Sequence, residues 1–314
     1  MSSVEWKTLD LFAGVGGIRL GFEKAGFKTV FSNDLEKNCK YTHDLNFQNP
    51  KLHVEDINNI NPKTLPDFDI LLGGFPCQAF SIAGYREGFK DPRGNVFFRI
   101  ANILKEKMPA GFMLENVKNL KSHDNGKTYK IIHDTLGALG YTIKSKILNS
   151  LEYGNIPQNR ERIFIVGFLD SNLVDAFEFP KPLKLTKSFK DFLQNNVDSK
   201  YYYNNKPLYN KLKNHVTSKD SVYQWRRIYV RKNKRGVVPT LTANMGKGGH
   251  NVPIILDNKG IRKLTPRETF NLQGFPKSFK LPNISDGTLY HQAGNSVVVP
   301  VVKRIATNIM KALN

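Results

Sequence analysis

The sequence is 314 residues long, enough to bury a large core as one domain or as one large and one small domain. Hydrophobic residues make up 40% of it, with 21 Phe and 12 Tyr, which excludes a disordered chain, and no run approaches the roughly 18 consecutive apolar residues of a membrane span. Lys and Arg outnumber Asp and Glu by 47 to 27, a formal net charge of +20, and such a field favours a polyanionic partner, nucleic acid above all, although a solubilising surface would also carry it.

In chain order, WKTLDLF reads as a first strand that ends in the turn AGVGG, and IRLGFEKAG as a helix with Ile18 and Phe22 on one face and Gly26 as its stop. FKTVFSND is a second strand with an acid at its end. FDILLGG is a buried strand broken by Gly73, Gly74 and Pro76, and GNVFFRIANILKEK a helix turning Phe97, Ile100 and Ile103 or Leu104 inward. GFMLENV, TIKSKILNS and RIFIVGFL continue the alternation, the signature of an α/β protein with a mostly parallel, doubly wound sheet. After about residue 170 the chain turns polar and rich in Asn, Lys and Tyr without a sustained period, and includes the basic run RRIYVRKNKR (226–235). Periodicity returns in VVVPVVKRIATNIMKALN, where Val302, Ile305, Ile309 and Leu313 share a helix face expected to pack back on the first domain. The expected division is therefore 1–171, a smaller irregular domain 172–287, and a returning segment 288–314. The start MSSVEWKTLDLF has no signal-peptide character, so a cytoplasmic chain without a membrane partner is expected, with Cys39 and Cys77 as free thiols.

The turn DLFAGVGG offers backbone N–H groups to a ligand at the strand ends, yet its glycines do not follow G-x-G-x-x-G, and a plain tight turn fits it equally well. Asp34, ending the second strand, is placed to accept from both hydroxyls of a ribose, so the pair points to a nucleoside ligand. Cys77 follows Pro76 in GGFPCQAFS, a stiff loop ahead of Arg86, Lys90 and Arg93, where neighbouring cations would favour a thiolate. Glu115 ends another strand at the same sheet edge, and Arg160 and Arg162 in QNRERIF either clamp a planar or anionic group or pair with Glu161 and its neighbours. A nicotinamide-dependent oxidoreductase shares the glycine turn and the acid, but leaves GGFPCQAFS without a task. No metal-ligand cluster is visible among the seven His and two Cys.

Taken in order, DLFAGVGG, SNDL, EDI, GGFPCQAFS, ENV, QNRERIF, RKLTPRETFNLQGFP (262–276) and QAGNSVVVPV (292–301) resemble the cytosine-5 DNA methyltransferases of bacterial restriction–modification systems over nearly the whole chain. The resemblance implies S-adenosylmethionine as cofactor, with S-adenosylhomocysteine as product and no metal. It implies cofactor contacts from Phe12, Gly14, Gly16, Gly17, Asp34, Leu35, Asp56, Ile57, Pro76 and Asn295. Leu35 stands where relatives can carry an aromatic residue. The catalytic set implied is Cys77, Glu115, Arg160 and Arg162, acting on C5 of a flipped-out cytosine in a short duplex sequence through a covalent bond from Cys77 to C6. Double-stranded DNA is the implied partner, touched by Gln78, Ser81, Gln224, Arg227, Thr240 and Leu241, with a cognate restriction endonuclease acting separately and the enzyme a monomer. Methylation of cytosine in transfer RNA is the alternative within the family.

Overall fold

The computed structural model describes residues 4–76, 96–233, 236–245 and 251–314. Among these residues the chain divides into two units, neither continuous in sequence. The first comprises Met1–Leu148, Glu161–Lys181 and Val301–Asn314, and the second Asn149–Arg160 and Pro182–Pro300. Contacts thus part the chain at 181/182 and 300/301, against the divisions at 171/172 and 287/288 drawn from composition. The short stretch Asn149–Arg160 crosses into the second unit because its hydrogen bonds lie there.

In the first unit the apolar runs become β1 (Lys7–Leu11), β2 (Lys28–Asp34), β3 (His53–Val54), β4 (Ile70–Gly74), β5 (Gly111–Val117), β6 (Thr142–Asn149) and, beyond the two-residue β7 (Gln158–Asn159), β8 (Glu161–Phe168). The sheet order is β3-β2-β1-β4-β5-β8-β6, as an α/β reading requires. The pairs of β1 with β2 and β4, of β2 with β3 and of β4 with β5 are parallel, whereas β5 and β8 run antiparallel. Strand order reverses between β1 and β4, so the crevice beyond their carboxyl ends is where such a sheet binds ligands.

Nearly continuous apolar strands need cover on both faces. The helix Val96–Lys107 supplies part of it, burying Phe97, Ile100, Ile103 and Leu104 in one cluster with Leu9, Leu71, Phe112 and Ile163. The final helix, Val299–Leu313, starts with Pro300 in its first turn and buries Val302, Ile305 and Ile309 completely. Val302 lies against Gly21, where a Cβ would come within 2.6 Å of its Cγ1. No helix among the described residues is long and apolar enough to cross a membrane.

The second unit holds a small sheet of order β10-β9-β12-β13, from β9 (Tyr223–Trp225), β10 (Val230–Lys232), β12 (Ile254–Leu256) and β13 (Ile261–Lys263), while β11 (Val238–Pro239) pairs in parallel with β7. Its core gathers Tyr203, Leu212, Val216, Tyr223, Ile254 and Ile261. A buried ion pair anchors one side: the Arg262 guanidinium donates to both oxygens of Glu268, 2.8 Å each, and to Asp257, 2.6 Å away. Glu268 also closes a capping box with Thr265 at the start of the helix Pro266–Leu272.

Replacing Ile305 by Ala removes a side chain with no exposure and is expected to cost about 2–5 kcal/mol. The exposed neighbour Lys303→Ala should stay within about 0.5 kcal/mol of the parent, as denaturant unfolding of the two variants would read.

Candidate active site and nucleic-acid interface

The turn after β1 is built to leave room. Phe12 takes φ 55° and is half-buried, Gly14 takes φ 54°, and a Cβ at Gly14 would meet nothing within 4 Å. Gly16, at φ 82°, instead lies against the Phe47 ring, which a Cβ would strike. The Gly14 N–H donates to Asp34 Oδ2 at 2.7 Å, joining the turn to the end of β2, and the Glu36 N–H donates to Oδ1 at the same distance. Burial raises the Asp34 carboxyl above its ordinary range, and these two N–H donors pull it back in part. Leu35 beside it is 66% exposed, an apolar side chain left open at the carboxyl edge of the sheet. Asp56 caps a short turn by accepting from the Asn58 N–H, while Ile57 buries its side chain in the core and so offers only backbone outward.

Asp10 is a residue that sequence reasoning passed over, hidden in the apolar look of DLF. It lies in β1 opposite Ser32, fully buried, and neither carboxyl oxygen has a hydrogen-bond partner among the described residues. Burial pushes its pKa up to about 8, against the opposing charge of Arg19.

At the other side of the strand-order reversal, β4 leads through buried Phe75 to exposed Pro76. Cys77, Gln78 and Ser81 lie outside the described residues. Glu115 pairs in register with Gly74 on β4 and with Phe164 on β8, and its side chain is nearly buried. In the antiparallel register Arg162 stands opposite Val117, hence diagonal to Glu115 on the same face, and its Nε sits 3.0 Å from Glu115 Oε1. Its Nη1 donates to the Glu161 carbonyl at 2.8 Å. The neighbouring Asn116 donates from Nδ2 to the Phe75 carbonyl at 2.9 Å, tying the segment that leads to Cys77 onto β5.

Arg160 goes elsewhere. It is 3% exposed within the second unit, where its guanidinium donates to the carbonyls of Leu241 (2.7 Å), Ser296 (2.6 Å) and Gly294 (3.3 Å). Gln158 accepts from the Leu241 N–H and donates to the Leu272 carbonyl, and the Asn159 carbonyl accepts from Thr240 Oγ1 at 2.6 Å. The three residues of QNR therefore strap down the segment carrying Thr240 and Leu241. Leu241 is itself buried, so its side chain faces the interior. The helix Asp286–Asn295 presses Gly294 against the Thr242 backbone, where a Cβ would overlap at 2.2 Å, and His291 Nδ1 lies 2.8 Å from the Ala243 carbonyl. Asn295 ends this helix exposed, with Nδ2 3.1 Å from His291 Nε2.

Beside Thr240 the second unit opens a cleft of about 620 Å³, lined among others by Gln224, Arg226, Arg231, Lys232, Asn244 and Asn251. Strand alternation explains the division of β9 and β10. Tyr223, Trp225 and Val230 turn to the core, whereas Gln224 and Arg231, directly opposite each other, turn to the cleft. Arg227 is exposed at the hairpin tip with φ 66°. Arg226, Arg231 and Lys232 were legible only as part of a charge run. Among the described residues no group of His, Cys, Asp or Glu has the arrangement of a metal site.

A mostly parallel sheet with its open turns at one carboxyl edge is the fold of the S-adenosylmethionine-dependent methyltransferases. It matches, for example, the crystal structure of a Spodoptera frugiperda DNMT2 mutant with TM-score 0.76 and 21% identity, covering 98% of this chain and 100% of that one. The family model for C-5 cytosine-specific DNA methylases matches residues 6–311, and the chain belongs to that family. It is 53% identical over 310 residues to the Type II methyltransferase M.Bsp6I of Bacillus sp. (strain RFL6), covering 97% of this chain and 98% of the relative. To M.HaeII of Haemophilus aegyptius it is 45% identical over 315 residues, covering 99% and 94%. The protein is a DNA cytosine-5 methyltransferase of the restriction–modification type.

Substitutions at two positions probe this construction. Arg160→Ala leaves buried carbonyls unpaired and is expected to cost about 3 kcal/mol or more in thermal unfolding, with Arg160→Lys recovering little because an ammonium cannot fork among three acceptors. Asp10 holds its proton more tightly folded than unfolded, so its contribution to stability is fully present below 3.8 and is lost as pH rises through about 8. Asp10→Asn should therefore gain on the parent as the pH climbs across that window, a trend that parallel melting curves would reveal.

Proposed function

We propose that the protein methylates C5 of a cytosine swung out of a specific duplex sequence, with Cys77 as the nucleophile and Glu115 as its acidic partner. The observation that carries this reading is the Glu115–Arg162 pair, 3.0 Å apart at the sheet edge where β4 runs on toward Cys77. Cytosine C5 is a poor nucleophile while its ring is aromatic. Addition of the Cys77 thiolate forms a C6–S bond and saturates C6, and the displaced C5–C6 π pair shifts into a C4=C5 bond on the nitrogen-bearing C4, an enamine with electron density on C5. Glu115, by hydrogen bonding at N3 and delivering a proton there, neutralises charge as it builds on the ring. Arg162 fixes the carboxyl through Oε1, so the geometry is set before substrate arrives. Once C5 has formed its bond to the methyl group, a base accepts the C5 proton, the N3 proton returns to Glu115, the C–H electron pair re-forms C5=C6, and the thiolate leaves with the C6–S pair.

The cofactor is S-adenosylmethionine, which when bound supplies an electrophilic methyl group. The turn after β1 suits it: the space over Gly14 is open, half-buried Asp34 retains lone pairs for two ribose hydroxyls, and Phe12 and exposed Leu35 offer apolar cover. Gly16, Gly17, Asp56, Ile57, Pro76 and Asn295 complete the proposed contacts. A thiol on a protein loop cannot reach C6 inside a stacked helix, so the base must leave the stack, at a cost that backbone contacts offset. Gln78 and Ser81, next to Cys77 in sequence, contact the target region. The cleft of the second unit, with Arg226, Arg231 and Lys232 on its wall, supports a role in reading the duplex through Gln224, Arg227 and Thr240. Arg160 and Leu241 serve this interface by holding Thr240 in place. One chain suffices for one cytosine, and a separate endonuclease of matching specificity is the counterpart reaction.

Cys77→Ser is expected to abolish methyl transfer to duplex DNA while calorimetry still detects S-adenosylmethionine binding. Transfer persisting at a rate comparable to the parent would remove the thiolate from the mechanism.

A further inference from the structure

Asn295 ends the helix Asp286–Asn295 with its backbone fixed on both sides. Arg160 donates to the carbonyls of Gly294 and Ser296, Gln273 donates from Nε2 to the Ala293 carbonyl at 2.6 Å, and the Ser296 N–H returns to the Gln292 carbonyl at 3.1 Å. The place of the Asn295 Cα is thereby set. The last torsion of its side chain is not, because a carboxamide is nearly symmetric in shape and a half-turn exchanges an acceptor oxygen for an NH2 donor at little steric cost. Hydrogen bonding alone decides which of the two faces outward.

His291 decides it here. It stands one helical turn before Asn295, at the spacing that puts two side chains on one face. Its Nδ1 lies 2.8 Å from the Ala243 carbonyl, which can only accept, so Nδ1 carries the proton. In the neutral ring Nε2 is then a bare acceptor. The group 3.1 Å from Nε2 must be a donor, and Asn295 meets it with Nδ2. Oδ1 is left turned away from the ring. One backbone carbonyl thus dictates, through a single tautomer, the orientation of an exposed amide.

We infer that His291 is a positioning residue for cofactor binding: it holds the Asn295 amide so that Oδ1, not Nδ2, meets the cofactor. The inference rests on the reading of Asn295 as a cofactor contact and adds what that contact accepts. With the ribose hydroxyls assigned to Asp34, the donor that best suits an amide oxygen is the ammonium of the cofactor's amino-acid end, which makes a charge-assisted bond. A rotated amide would aim an NH2 group at that cation.

Calorimetry on the full chain, with S-adenosylmethionine and with 5′-methylthioadenosine, which lacks the amino-acid end, tests this. Asn295→Ala should bind S-adenosylmethionine about tenfold more weakly or worse. In His291→Asn the shorter side chain keeps a donor near the place of Nδ1 for the Ala243 carbonyl but cannot reach Asn295. A loss of about threefold to tenfold is expected, the cost of ordering the freed amide. The double variant should bind no more weakly than Asn295→Ala, because His291 then has nothing to orient. Both single variants should bind 5′-methylthioadenosine as the parent does. Nitrogen-15 spectra of the parent in mildly alkaline buffer should show the His291 ring protonated at Nδ1, its signal identified among the seven histidines by its loss in His291→Asn. A proton on Nε2, parent-like binding by His291→Asn, losses that add in the double variant, or equal weakening toward 5′-methylthioadenosine would overturn the positioning role and leave Asn295 as a cofactor contact. Parent-like binding of S-adenosylmethionine by Asn295→Ala would overturn that contact and the positioning role with it.

Discussion

The proposed chemistry depends on one departure from parallel order in the first unit. Because β8 runs antiparallel to β5, Arg162 is diagonal to Glu115 on a shared face, and its Nε reaches Glu115 Oε1 at 3.0 Å. A parallel neighbour would have carried its residues toward that edge in the same direction as β5, and an arginine at the start of the strand would lie at the far end of the sheet. The carboxyl is thereby fixed beside the strand that leads to Cys77, while the open turn after β1 and the acid at the end of β2 lie at the same edge. Strand order and direction thus bring the open turn, the acid of β2 and the Glu115 carboxyl to one edge of the sheet, where the proposed cofactor and pyrimidine would meet.

The second unit solves a different problem, holding irregular chain in a fixed shape. Most of that work falls to buried polar side chains: Arg160 on three carbonyls, Gln158 on the Leu241 amide, and Arg262 between Asp257 and Glu268. Such groups are stable only because nearly every donor finds an acceptor, and removing one partner leaves the other stranded. This frame holds the cationic hairpin and the polar cleft in a set geometry.

Much of this is legible in the amino-acid sequence. Strands of five to eight residues with apolar character, such as ILLGG and ERIFIVGF, and helices with a clear stripe, such as Val96–Lys107, carry enough periodicity to be assigned. The three-residue strands β9, β10, β12 and β13 do not, because alternation over three positions is indistinguishable from chance, and that sheet was expected only as irregular chain. Among the candidate site residues, Asp34 is legible as an acid ending an apolar strand, and Glu115, expected to end one, lies two residues before β5 stops at Val117. Arg160 and Arg162, two apart in one motif, looked equivalent, yet the chain passes from one unit to the other between Arg160 and Glu161, and only Arg162 meets Glu115. Asp10 and His291 escaped notice for different reasons. One acid hides among apolar neighbours in a strand, and one histidine acts only through the tautomer that the Ala243 carbonyl imposes.

The central claim, that a thiolate adds to the pyrimidine ring with help from a carboxyl held by Arg162, is tested most directly by trapping the adduct. A duplex with 5-fluorocytosine at the target cannot lose a proton from C5, so the enzyme should remain covalently attached after methyl transfer, and peptide mapping should place the DNA on Cys77. Glu115→Gln should slow attachment by about a hundredfold or more. Attachment at another residue, none at all, or an unchanged rate without the carboxyl would contradict the account.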